Sequence, residues 1–209
     1  MSAVGRPRRY DAADERRLIL DAAFTVMARN GYQDVAVADI LAEAGISTRS
    51  FYRHFGSKGE LLRAMCRSEA DAAAAAIAER VAAAGSPRAG LEAWIDEILS
   101  YGQHRGKARR AAVLGSAGAM RAEGFADEMT RAFGLLTAPL LDVLAAGRAD
   151  GTFPQADPAA DALQVQALAW RASGLNPFAE ARPATPESRA AVLDFCLRAL
   201  GASPRAAGG

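Results

Sequence analysis

The chain has 209 residues, 51% hydrophobic and 23% charged, with 25 basic against 24 acidic side chains for a formal net charge of +1. At ~100 to 200 residues per domain, this is one or two compact domains with real cores, and the composition argues against a disordered chain. No run of uncharged residues exceeds ten, whereas a membrane-spanning helix needs ~20 mostly apolar residues, so no membrane span is expected.

The opening segment MSAVGRPRRYDAADERR has no apolar stretch to act as a signal peptide, and a cytoplasmic location is the expectation. Beyond it, apolar residues recur at three- and four-residue spacing and alternating strand-like runs are missing. The chain therefore reads as all-α, with about nine helices. After a basic arm containing Arg8 and Arg9, Asp11 can cap a helix reaching about Asn30, with Leu18, Ile19, Ala22, Ala23, Val26 and Met27 on its inner side. Asn30-Gly31 then supplies a left-handed stop. Two short helices follow at about 37–44 and 48–54, joined by Gly45-Ile46-Ser47. Ser57-Lys58-Gly59-Glu60 is a capping box opening a long helix over about 58–84.

Three later starts, Ser86-Pro87, Asp157-Pro158 and Thr185-Pro186, pair a capping side chain with proline at the first helical position. The predicted helices are about 87–102, 105–115, 119–149 with a kink at Pro139, 158–173 and 186–200, and residues 202–209 read as a flexible tail. Cys66 and Cys196 are far apart with no Cys/His cluster around them, so neither a disulfide framework nor a metal site is expected. Residues 1–70 hold 11 basic and 9 acidic side chains, a slight positive excess in the same direction as the basic arm.

The short helices at 37–44 and 48–54 cannot persist alone and must be held by packing on the first helix. A helix, a three-residue glycine turn and a second short helix is helix-turn-helix geometry. With Phe51 placed inward and ~100° per residue, Phe55 and Thr48 fall near the core side, Arg49 and Arg53 almost opposite, and Ser50 and Tyr52 on the flanks. Two outward guanidiniums can enter a major groove, where arginine pairs bidentately with guanine, while flanking hydroxyls reach phosphates. The plain alternative is a solvated helix face. Lys58 adds its charge to the positive end of the next helix dipole, which would favour a phosphate there.

ILDAAFTVMARNGY and DILAEAGISTRSFYRHFGSKGELL, within residues 15–66, resemble the TetR family of bacterial transcriptional regulators. The resemblance implies that Ser47 to Phe55 form a capped recognition helix, with Thr48, Arg49 and Ser50 at the groove and Tyr52, His54 and Lys58 at phosphates. Together with Arg8, Arg9, Ser47 and Arg53 these are the candidate DNA-binding residues. Ala36 and Ala38 stand where the family usually has a hydroxyl cap and often a basic residue, which shifts phosphate binding toward the N-terminal arm. Arg49 stands where a small residue is common, which implies an unusual base preference.

The implied division is a DNA-binding domain at 1–57 and a helical effector-binding and dimerisation domain at 58–201, linked by the helix at 58–84. In that second part Trp94, Ile98 and Tyr101 share one face, and Phe125, Met129 and Phe133 another; periodicity alone makes both a packed core. The family's usual effector cavity makes the same residues, with His104, Met120 and Trp170, candidate ligand walls for a small, mostly apolar effector. Leu163, Ala167 and Trp170, with Val192, Phe195 and Ala199, form stripes on the last two helices. Those two helices usually build the family's homodimer. The implied function is a regulator, a repressor by expectation, released from a palindromic double-stranded operator by an effector. The alternative is a DNA-binding dimer without a small effector. Since no nucleophile–base arrangement, metal spacing or phosphate loop is present in the sequence, neither an enzyme nor a cofactor is expected.

Overall fold

The structure, a computed structural model, describes residues 11–175 and 184–202; Arg8, Arg9 and nearly all of the expected tail lie outside the described residues. These form ten α-helices and no strand: α1 (Ala12–Asn30), α2 (Val37–Ala44), α3 (Thr48–His54), α4 (Lys58–Ala82), α5 (Pro87–Gln103), α6 (Arg105–Leu114), α7 (Ala117–Met120), α8 (Phe125–Ala149), α9 (Pro158–Ala172) and α10 (Pro186–Ala199).

The helix starts follow local chemistry. Asp11 accepts from the Asp14 N–H at 2.7 Å, Ser57 from Glu60 at 3.0 Å, Ser86 from Ala89 at 3.2 Å, Asp157 from Ala160 at 3.3 Å and Thr185 from Ser188 at 3.2 Å. In the box at α4 the Glu60 carboxylate reaches one residue further back than expected, to the Gly56 N–H at 2.8 Å. The expected single helix at 119–149 is two elements. The chain turns between α7 and α8 at Gly124, whose φ of 66° is left-handed. α8 then continues through Pro139, which has no N–H for the Leu135 carbonyl; the neighbouring Leu136 carbonyl accepts the Trp94 indole N–H at 2.8 Å.

Two apolar cores stack along α4 and α8. The first joins α1–α3 to Leu61, Leu62, Met65 and Cys66 of α4, Val113 and Leu114 of α6, and Phe125 and Ala132 of α8. The second joins Ala73 and Ile77 of α4 to α5, the remainder of α8, α9 and α10. The helix-turn-helix thus rests on a core to which α4, α6 and α8 also contribute. By length and composition alone α8 is long and apolar enough to cross a membrane, a test that a core helix also passes. Counting uninterrupted uncharged runs misses this because Asp142 splits the stretch; here α8 packs against α4, α5 and α9.

Candidate nucleic-acid interface and internal cavity

Gly45, with φ 65°, ends α2 and donates its N–H to the Leu41 carbonyl at 2.9 Å. Its left-handed backbone turns the chain into Ser47, whose hydroxyl caps α3 by accepting from the Ser50 N–H at 3.2 Å. Phe51 and Phe55 anchor α3 in the first core, their ring centroids 5.8 Å apart. That anchoring turns Thr48, Arg49, Tyr52 and Arg53 to solvent, with Tyr52 58% exposed. Ser50 is half-buried with its hydroxyl 3.3 Å from that of Ser47. Arg49 makes no hydrogen bond or ion pair among the described residues.

The other cations of this region are engaged. Arg53 pairs with Glu15 of α1, and His54 Nε2 lies 3.2 Å from the same carboxylate. The hydrogen bond from His54, working against burial, and then the Arg53 pairing hold the Glu15 carboxyl below its ordinary value. His54 is thus a half-buried strut between α3 and α1, with its ring turned to Glu15 where a phosphate contact was expected.

Lys58 departs further from expectation. Its ammonium donates to the carbonyls of Tyr32 at 2.9 Å, Gln33 at 3.2 Å and Val35 at 2.8 Å, and lies 4.6 Å from the Tyr32 ring centroid. An ammonium has three donors, and all three are used. The carbonyls offset the cost of a cation at a helix N-terminus. At the start of α2, the Ala36 N–H donates to the Asp39 carboxylate at 2.8 Å, so an anion already occupies that helix end.

A cavity of about 720 Å³, partly open to solvent, lies among α4, α5, α6, α7, α8 and α9. Tyr101, Met120, Met129, Phe133 and Trp170 line it, and Trp170 sits 5.9 Å from both Tyr101 and Phe133 between ring centroids. Four other expected wall residues do not. Trp94 is buried and committed to the Leu136 carbonyl, Ile98 and Phe125 are fully buried in the two cores, and His104 sits exposed at the α5–α6 junction with Nδ1 2.9 Å from the Ser100 carbonyl.

Sequence reasoning missed the wall from α4, where Cys66, Glu69, Ala70 and Ala73 contribute, and the arginines Arg121 and Arg171. The signal was the small side chains of the alanine-rich α4 opposite aromatic-bearing helices, which leave space between packed backbones. Burial and then the Glu128 charge push the Cys66 thiol up to about 11, and its sulfur lies 3.6 Å from that of Met129. Burial, then the charges of Glu97 and Glu69, push the Tyr101 hydroxyl up to about 12. Both groups stay protonated at neutral pH.

The family described as bacterial regulatory proteins, tetR family, matches residues 19–65, which hold α2, α3 and most of α1. The uncharacterized HTH-type transcriptional regulator YezE of Bacillus subtilis (strain 168) is 27% identical over 114 residues, 54% of this chain and 57% of that protein. The HTH-type transcriptional repressor LfrR of Mycolicibacterium smegmatis is 34% identical over 87 residues, 42% of this chain and 45% of that one. The chain thus spans about half the length of the curated relatives it matches. Among solved structures, Salmonella enterica GusR superposes with a TM-score of 0.76 at 18% identity, over 92% of this chain and 98% of that chain. FadR from Bacillus subtilis, in complex with stearoyl-CoA, superposes with a TM-score of 0.73 at 16% identity, over 88% and 98%. At such identities the likeness shows a common fold.

Proposed function

Since the chain belongs to the tetR family of bacterial regulatory proteins by its residues 19–65, we propose that it is a sequence-specific DNA-binding transcriptional regulator acting as a homodimer. Residues 1–57 bind DNA in this reading, and 58–201 bind an effector and dimerise. The observation that carries it is the presentation of α3: Phe51 and Phe55 are buried, while Thr48, Arg49 and Tyr52 face solvent and Arg49 has no partner among the described residues. One such helix offers too few contacts for specificity; two in successive major grooves, ~34 to 36 Å apart on a palindrome, supply enough. Arg49 reads a base edge, and the Thr48 and Tyr52 hydroxyls reach backbone phosphates.

The cavity supports an effector-released repressor over a DNA-binding dimer with no small ligand, because a half-open, largely apolar space of about 720 Å³ has the size and lining of a small-molecule site. An effector that binds better to a dimer with wrongly spaced recognition helices shifts the population away from DNA. Selection of bound duplexes from a random pool tests the reading. A palindrome is expected, and recovery of duplexes without any repeated half-site would overturn it.

A further inference from the structure

The polar side chains around the cavity are unbalanced. Arg121, at the end of α7, and Arg171, in the last turn of α9, line it and have no ion pair among the described residues. The Trp170 indole N–H is buried and has no hydrogen-bond partner among the described residues. The Tyr101 hydroxyl has no hydrogen-bond partner among the described residues and keeps its proton. All four groups can donate. The acidic side chain in the wall, Glu69, is already taken by Arg110 at 2.6 Å. A ligand seated here meets available donors and two positive charges, while Phe133, Met129 and their neighbours offer it an apolar bed.

We propose that the cavity takes an amphipathic anion, an aromatic or aliphatic body carrying one carboxylate-like group that Arg121 and Arg171 receive. This rests on reading the cavity as the effector site and specifies its ligand class. A carboxylate accepts from a guanidinium in paired, charge-assisted hydrogen bonds. An alcohol forms weaker neutral ones, and an ammonium is repelled and brings more donors to a wall already rich in them. The three rings of Tyr101, Trp170 and Phe133 favour a flat body through edge-to-face contact.

The test uses the full chain and two isosteric series: dodecanoate, dodecanol and dodecylammonium, then naphthylacetate, naphthylethanol and naphthylethylammonium. Binding is read by calorimetry and by change in Trp170 fluorescence, with Trp170→Phe as the control for location. In at least one series the anion should bind about tenfold tighter than its neutral counterpart. The double variant Arg121→Gln with Arg171→Gln should abolish that preference, lowering the anion's affinity about tenfold and the alcohol's far less. Equal binding of anion, alcohol and ammonium overturns the anionic assignment and leaves the effector reading standing. An anion preference that survives the double variant overturns the role of the two arginines. If none of the six binds, both the assignment and the effector reading fall.

Discussion

Arg49 of α3 and Lys58 at the start of α4 are both cations expected at DNA, and their surroundings give them opposite work. Arg49 faces solvent without a partner, so Arg49→Ala should cost ~1 to 3 kcal/mol on the selected operator and flatten the base preference at one position per half-site. Lys58 is committed to three carbonyls of the α1–α2 loop. Lys58→Met should therefore lower stability by about 2 kcal/mol, read from the urea midpoint, and weaken operator and scrambled duplex alike. An unchanged midpoint with a salt slope reduced by about one per subunit would return Lys58 to the phosphates. The facing of Arg49 was legible because ~100° per residue from Phe51 fixes it. The partners of Lys58 were not, because they lie in a loop more than twenty residues upstream, and helical periodicity says nothing about where a loop's carbonyls converge.

Glu15 adds a pH dependence at the same scale. Its carboxyl titrates below the ordinary 4.5 when folded, so its contribution is complete above that value and lost as the pH falls through the folded-state value. Glu15→Gln should accordingly be less stable than the parent at neutral pH, with the difference closing in acid. A gap in urea midpoint that stays constant down to pH ~3 would show that the Arg53 and His54 contacts contribute nothing to folding.

At the scale of helices, α6 ties the cavity to the helix-turn-helix bundle of α1 to α3. Arg110 donates to Asp21 of α1 and to Glu69 of α4, each at 2.6 Å, and stacks over Phe24 of α1 at 4.6 Å from the ring centroid. Glu69 and Ala111, the residue after Arg110, both line the cavity. A ligand that moves this wall moves the anchor of α1. Arg110→Gln should leave ligand affinity and DNA affinity each within a few-fold of the parent, and shrink the coupling between them, ordinarily ~1 to 3 kcal/mol for an allosteric pair. Measuring DNA affinity with and without saturating ligand decides it, and undiminished coupling would place the communication elsewhere. This bridge could not be read from the sequence, since it joins residues from three distant helices. The cavity was half legible for a related reason. Periodicity puts Trp94, Ile98 and Tyr101 on one inward face, but only packing decides that the first two meet α8 and its neighbours while Tyr101 meets open space.

The molecule as a whole leaves apolar surface in few places. Of the five large exposed apolar side chains among the described residues, Tyr52 belongs to α3, and Met120 and Phe133 line the cavity. The other two, Leu163 at 62% exposed and Phe195 at 56%, lie on α9 and α10. The sequence stripes on these helices were partly informative. Leu163, Phe195 and Ala199 do face outward, whereas Val192 enters the second core and Ala167 and Trp170 border the cavity, because a helix stripe does not say which half meets its own subunit. Large apolar side chains on two adjacent surface helices are what an isologous helical interface requires, and burying them on a second copy returns the free energy of removing that surface from water. Leu163→Glu combined with Phe195→Glu should therefore yield a folded monomer of 21.9 kDa by sedimentation, where the parent should run at twice that mass if the proposed homodimer forms. The exposed positions leave the subunit core untouched, so helicity should persist, while specific affinity for the palindrome collapses toward the value for a scrambled duplex. A parent chain that sediments as a monomer and still binds the palindrome tightly would sink the dimer, and with it the need for two recognition helices at a fixed spacing.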